Sequence, residues 1–403
     1  MGETILPLIA NEVYLAIFDH FDLSDDMDAA QRTEHRTILS NLALVCRFFC
    51  AECLPRIFRS MEYVGLVHTK STPSYAKFCR ELNLGEETAC YLGQHVKECS
   101  VKHWMQAVEQ GRWVFHNFLK IYTKSITRLV HLETLRLYDT PIDLDFIVAL
   151  KSLDKLKSLS MSHCDFQSLT KDNPCFTGPL RLTHFELFAH RNDALLASLS
   201  QIISSTVLRA LHTDNRAFLR ALISQSVDFN IETLSIPLSV PEIIHLQKFL
   251  EKNPSITDLC VLQLPGTSIT QSPGQMLHLA PSSLPQLRRL QCPTWLIADL
   301  VPGRPLKSIK VSHQIVRGTQ AVGGLQFSDD EEQDGRRMLS VLKESTAVIT
   351  VLRVPAYVYA AASFARMFPH LETLILDMLA DGMIVTNREV SHLAVIDESF
   401  LTP

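Results

Sequence analysis

The sequence predicts an α+β chain in two unequal parts: a small all-helical unit, then an irregular α/β solenoid with a curved parallel sheet. Three observations carry that expectation. Apolar residues at helical spacing fill positions 1 to about 60. Short apolar lines of one form recur from Leu132 to Leu374 at near-constant intervals. Between them lie amphipathic stretches long enough for a helix. Composition agrees, since 46 % of the 403 residues are apolar and 20 % charged, too apolar for a disordered chain. Only 14 residues are glycine, which argues against glycine-rich phosphate cradles.

The helical unit comes first. LPLIANEVYLAIFDHF places Ile9, Val13, Ala16 and Ile17 on one helix face, with Pro7 just ahead of the entry. DLSDDMDAAQRTEHRT is polar and acid-rich, a loop or short helix. ILSNLALVCRFFCAECL reads as one strong helix with Ile38, Leu42, Val45 and Phe49 in a stripe, and Pro55 either ends it or opens a further turn. Cys46, Cys50 and Cys53 stand at i, i+4, i+7, a spacing a thiolate metal site could use. Free cysteine packs as a small hydrophobe, so a buried stripe is the reading taken. His95, Cys99 and His103 have ligand-like helical spacing, but VKECSVKHW reads as a strand entering a loop, which scatters them. A unit this small cannot bury all its apolar residues internally, so some of that surface should form an interface.

Residues 61–100 read as a connector, with a short helix at YAKFCRELN. From 101 to 385 the lines are LETLRL, LKSLSM, LTHFEL, LRALHT, IETLSI, ITDLCV, LPQLRRL, LKSIKV, ITVLRV and LETLIL. Their second apolar positions are Leu135, Leu159, Phe185, Leu211, Leu234, Leu259, Leu287, Ile309, Leu352 and Leu374. The gaps run from 22 to 28 residues, apart from one of 43 after Ile309. That interval belongs to leucine-rich repeats, and Cys164 supplies the Asn/Cys of the LxxLxLxxN/CxL form. Each LxL is a short strand with alternate side chains inward. The stretches DLDFIVALKSL, NDALLASLSQIISST, RAFLRALISQS and PEIIHLQKFLEKN should cover the sheet as helices. The long gap holds an acidic run, FSDDEEQDGRR, expected as a solvated loop leading into a helix at RRMLSVLKES. Residues 386–403 form a tail.

The two parts together resemble one family. Leu6 and Pro7, then Glu12, Ile17 and Phe18, then Val45, Cys46, Arg47 and Phe49, resemble an F-box, and the repeats resemble the leucine-rich-repeat receptors of that family. Here Glu12 stands further from Pro7, a dozen residues separate the helices, and Phe49 replaces the common tryptophan. The resemblance implies a substrate receptor of a cullin–RING ubiquitin ligase of SCF type. Those nine residues would contact a Skp-type linker, and through it a cullin, while the repeats hold an unknown target protein. A repeat scaffold acting without ubiquitin ligation is the alternative.

Solvent-facing strand positions should be Arg136, Ser160, Glu186, His212, Ser235, Cys260, Arg288, Lys310, Arg353 and Ile375. Arg136, Glu186, His212, Lys310 and Arg353 are the candidate target contacts, with the loops, including 311–348, as the competing surface. Both charge signs occur in the row, and the net charge is −5, so no nucleic-acid footprint is expected. No catalytic motif is present, so neither enzyme activity nor a cofactor nor a metal is expected. The first residues lack a basic n-region, Leu6 stands where a myristoylation motif needs Ser or Thr, and no apolar run reaches membrane length. The expected compartment is cytoplasmic or nuclear.

Overall fold

A computed structural model describes residues 11–21, 29–65, 75–105, 113–166, 179–188, 199–203, 206–224, 229–238, 243–263, 277–312, 329–355, 358, 367–377 and 384–387. The chain forms two compact units, Met1–Cys175 with His190–Asn192, and Phe176–Ala189 with Asp193–Pro403.

The first unit opens with α1 (Asn11–Asp19), α2 (Ala29–Ala43) and α3 (Arg47–Phe58). Their core is Phe18, Leu39 and Cys53, with Tyr14, Phe21, Leu42, Phe49 and Ile57 packed around it. Phe49 meets Phe18 edge to face, with ring centres 5.3 Å apart. Two expectations change here. The stripe of Val13, Ala16 and Ile17 on α1 faces water, and Tyr14, Phe18 and Phe21 face the core. Aromatic side chains bury more apolar area, so they win the inside. The single helix expected over residues 38–54 breaks at Leu44–Cys46. Cys46 is extended there, and its Sγ accepts a hydrogen bond from the Phe49 amide at 3.5 Å, an N-cap that starts α3. Upstream, the helix begins earlier than the polar run suggested, at Ala29. Pro55 does not end α3; the helix runs through it to Phe58. Arg56 ties α3 to α1 through Asp19 at 2.9 Å and lies over the Phe18 ring.

The chain continues through β1 (Ser60–Val64), α4 (Ala76–Leu84), α5 (Glu87–Gly93), β2 (Glu98–Lys102), α6 (Trp113–Ile126), β3 (Thr134–Tyr138), β4 (Pro141–Ile142), α7 (Leu144–Lys151), β5 (Ser158–Ser162) and β6 (Asp165–Phe166). Strands β1, β2, β3 and β5 run parallel in that order, and β4 pairs with β6. The sheet therefore starts inside the segment expected as a connector. SMEYV and ECSVK place Met61, Tyr63, Cys99 and Val101 where later strands have leucine, so the pattern is present without its letters. An inward row joins Met61, Cys99, Leu135 and Leu159, all buried, while alternate residues are only half-buried. One sheet face is thus covered and the other meets solvent.

A second regularity follows each strand. Trp104 Nε1 donates to the Tyr63 carbonyl at 3.1 Å, Thr140 Oγ1 is shared between the carbonyls of Val101 at 3.1 Å and Tyr138 at 2.9 Å, and the Cys164 thiol between those of Leu137 at 3.6 Å and Ser162 at 3.5 Å. Three unlike side chains perform one task, satisfying a buried carbonyl of the preceding strand. The residue before each, His103, Asp139 or His163, has φ of 60°, 49° or 55°. Asp and His tolerate that left-handed conformation better than most side chains.

The second unit contains β7 (His184–Phe188), β8 (Ala210–Thr213), α8 (Arg216–Ser224), β9 (Thr233–Leu238), α9 (Ile243–Lys252), β10 (Asp258–Gln263), β11 (Arg289–Pro293), α10 (Ile297–Leu300), β12 (Ser308–Ser312), α11 (Asp329–Leu342), β13 (Val351–Pro355), β14 (Thr373–Asp377) and β15 (Ile384–Asn387). Strands β7 to β14 are parallel and β15 is antiparallel to β14. Their inward row is Phe185, Leu211, Leu234, Leu259, Leu290, Ile309, Leu352 and Leu374. Leu290 takes the place expected for Leu287. LPQLRRL and LRRLQC both fit the pattern, and only the register separates them. The expected helices appear as α7, α8 and α9, and most of NDALLASLSQIISST lies outside the described residues. The acidic run is not a loop throughout: α11 begins at Asp329, so its Asp and Glu residues form the first turns.

Buried Arg304 fastens this unit's turns. Its guanidinium donates to the carbonyls of Ser283, Asp299, Pro302 and Ala280 at 3.0–3.1 Å. Prolines set the strand lengths. Pro237, Pro293 and Pro355 occupy one register position in β9, β11 and β13, and pairing to the preceding strand stops two residues before each. Those pairings cover three residues each. The pairings β9–β10, β11–β12 and β13–β14 cover six, five and five. Outer-row amides point toward the preceding strand, and proline has none to give.

Candidate interaction surfaces

Two surfaces collect the sequence-derived candidates. The first is the outside of the helical unit. Leu6 and Pro7 lie outside the described residues. Glu12 and Arg47 are exposed. Ile17 is 47 % exposed and Val13, one turn away on α1, is 49 % exposed. Val45 is 65 % exposed in the α2–α3 turn, beside Leu44 at 86 %. Leu44 was not singled out in the sequence, because an unbroken helix would have placed it beside the stripe and not at a turn. Phe18 is a correction: at 2 % exposure it is core and cannot contact a partner directly. Phe49 is half-buried against Tyr14 and Phe18, and exposed Cys46 caps α3. Holding bare leucine and valine in a turn costs apolar hydration, about 1.5–3 kcal/mol per side chain relative to full burial. A partner that covered them would recover much of it.

The other candidates lie in the outer strand row of each unit. In the first unit it carries Glu62, Ser100, Arg136 and Ser160. Arg136 pairs with Glu98 at 3.2 Å, and Lys102 with Glu62 at 2.7 Å. One step along, half-exposed Tyr138 has the rings of His103 and His163 edge-on at 5.1 and 5.3 Å.

The second unit, taken by itself, has an outer row of Glu186, His212, Ser235, Cys260, Gln291, Lys310, Arg353 and Ile375. Gln291 replaces Arg288, a consequence of the Leu290 register. Four of the five candidate target contacts, Glu186, His212, Lys310 and Arg353, lie in this row, and Arg136 lies in the first unit. Acid and imidazole occupy one end, small neutral side chains the middle, and cations the other end. Burial lowers the pKa of His212, opposed by the neighbouring Glu186 charge, so the ring is neutral at pH 7. Burial likewise pushes the Cys260 thiol up, against the Ser235 hydrogen bond and the Lys310 charge. Lys310 stands directly opposite Arg353, a like-charge neighbour. Asp377 offsets this by holding Arg353 in a two-pronged pair, Nε to Oδ1 at 2.8 Å and Nη2 to Oδ1 at 2.7 Å. Arg289 pairs with Asp258 in the adjoining row.

Among the described residues no group of three His, Cys, Asp or Glu is arranged to hold a metal ion. Burial raises the thiols of Cys99, Cys164 and Cys292, that of Cys164 to about 12, which leaves them protonated and unreactive. No described helix is long and apolar enough to cross a membrane. No protein-family model matches the chain, and no curated protein is significantly similar to it.

Proposed function

We propose that this chain is a binding protein and not an enzyme: a substrate receptor of an SCF-type cullin–RING ubiquitin ligase. In this reading the helical unit is an F-box that docks on a Skp-type linker, and the strands are a leucine-rich-repeat solenoid whose outer row grips a target protein. The observation that carries it is the exposed apolar set Val13, Ile17, Leu44 and Val45 on a three-helix unit whose own core is already closed by Phe18, Leu39 and Cys53. Apolar side chains spared from a small core and held on its outside fit a docking face. The outer row adds graded charge, acidic near Glu186 and basic near Lys310 and Arg353, which suits discrimination between protein ligands. The receptor's contribution would be proximity, raising the local concentration of a target lysine at a conjugating enzyme.

Affinity purification from cell extract followed by mass spectrometry tests this. Recovery of a Skp-type linker and a cullin supports the reading, and Leu44→Asp with Val45→Asp should abolish recovery of both while leaving the fold intact. Recovery of the linker without a cullin would favour a scaffold that works without ligation. Recovery of neither would overturn the F-box assignment.

A further inference from the structure

A cavity of about 540 Å³ lies in the first unit, between α6 and α7, away from the surfaces already described. Small-molecule sites typically measure roughly 300–1,000 Å³, so its size suits a ligand and exceeds a packing defect. Buried Leu119 from α6 and buried Phe146 and Ala149 from α7 line it, and exposed Val148 stands at its lip. Its hydroxyl groups are turned to the helices. Thr123 donates to the Leu119 carbonyl and Ser152 to that of Ala149, at 2.9 and 2.7 Å. An apolar wall therefore faces the cavity.

Charge distinguishes the two rims. On α6, Lys120 and Lys124 stand one turn apart, exposed, and among the described residues neither has an ion pair. On the α7 side the acids already have a task. The Asp143 carboxylate accepts the Phe146 amide at 2.9 Å as the N-cap of α7. Asp145 sits in that helix's first turn, where the dipole favours an acid. The cations thus stand together on the α6 rim, and the acids face them across the cavity from the α7 side.

We infer that this cavity binds a small amphipathic anion, an alkyl chain ending in a carboxylate. The chain lies against Leu119, Phe146 and Ala149, and the carboxylate meets Lys120 and Lys124. No step of this rests on the ligase reading.

Isothermal titration calorimetry of the full chain with dodecanoate, below its micelle concentration, tests the site. One-to-one saturable binding is expected, at least about tenfold tighter than for dodecyltrimethylammonium, whose head carries the opposite charge. Lys120→Gln with Lys124→Gln should weaken dodecanoate about tenfold, since both residues are exposed and the fold does not need their charge. Val148→Trp, placed at the exposed lip where it cannot disturb the core, should obstruct entry. Absence of saturable binding, equal affinity for the ammonium probe, or unchanged affinity in both variants would overturn the proposal. A circular dichroism spectrum identical to the parent's keeps each variant interpretable.

Discussion

Phe18 and Val45 show how one motif-like string divides between two jobs. Both belong to the set that resembles an F-box, yet Phe18 is sealed into the three-helix core and Val45 stands in water. Phe18→Ala should therefore destabilise the helical unit by about 3–5 kcal/mol, a cavity cost measurable by urea unfolding. Any loss of linker binding in that variant would follow from unfolding and not from a lost contact. His212 supplies a pH prediction. Its folded pKa lies below the ordinary imidazole value of about 6.5, so below that pH the unfolded chain binds the proton more readily. Its stabilising share is complete above about pH 6.5 and is lost as pH falls from there through the lowered folded value. Comparison of the parent with His212→Gln at pH 7.5 and 5.5 isolates this, since other groups titrate in both. The variant should lose less stability on acidification.

Elements were legible where a strand's letters matched its role. LETLRL, LKSLSM, IETLSI, LKSIKV and LETLIL became β3, β5, β9, β12 and β14 with the expected Leu135, Leu159, Leu234, Ile309 and Leu374 inward. Legibility failed where the role was filled by other letters. Strands β1 and β2 use Met, Tyr, Cys and Val, which bury as well as leucine but carry no repeat signature. At β11, two overlapping frames satisfy the same pattern, and only pairing to both neighbours selects Leu290. On α1, spacing located a true face but could not tell which face the neighbouring helices cover. The carbonyl-satisfying position was seen only at Cys164, because Trp104 and Thr140 do not look like its equivalents in sequence. That equivalence is testable. Thr140→Val keeps the shape but removes the donor to the Val101 carbonyl, and should cost about 1 kcal/mol in thermal or urea unfolding. Thr140→Ser, which keeps the hydroxyl, should cost less.

At the scale of the whole molecule, opposite charges meet in local pairs, Glu98 with Arg136, Glu133 with Lys157 and Arg353 with Asp377. Such exposed pairs contribute little stability, a median of roughly 0–1 kcal/mol each, so the buried leucine rows and not the charges hold the sheet together. The proline positions then decide how that sheet comes apart. Because β9–β10, β11–β12 and β13–β14 stay joined to their last residues while the pairings between them stop short, the C-terminal strand ends form doublets. Amide hydrogen exchange should report this directly. Leu262, Ser312 and Asp377, whose amides point into a doublet, should exchange slowly. Substituting Pro293 with Thr should create a new slowly exchanging amide, pointing at the Val261 carbonyl, and should make exchange at the strand ends of β9–β10 and β11–β12 rise and fall together. In the parent the unit of local opening would be a pair of neighbouring strands and not a single one, with each proline acting as a break in cooperativity.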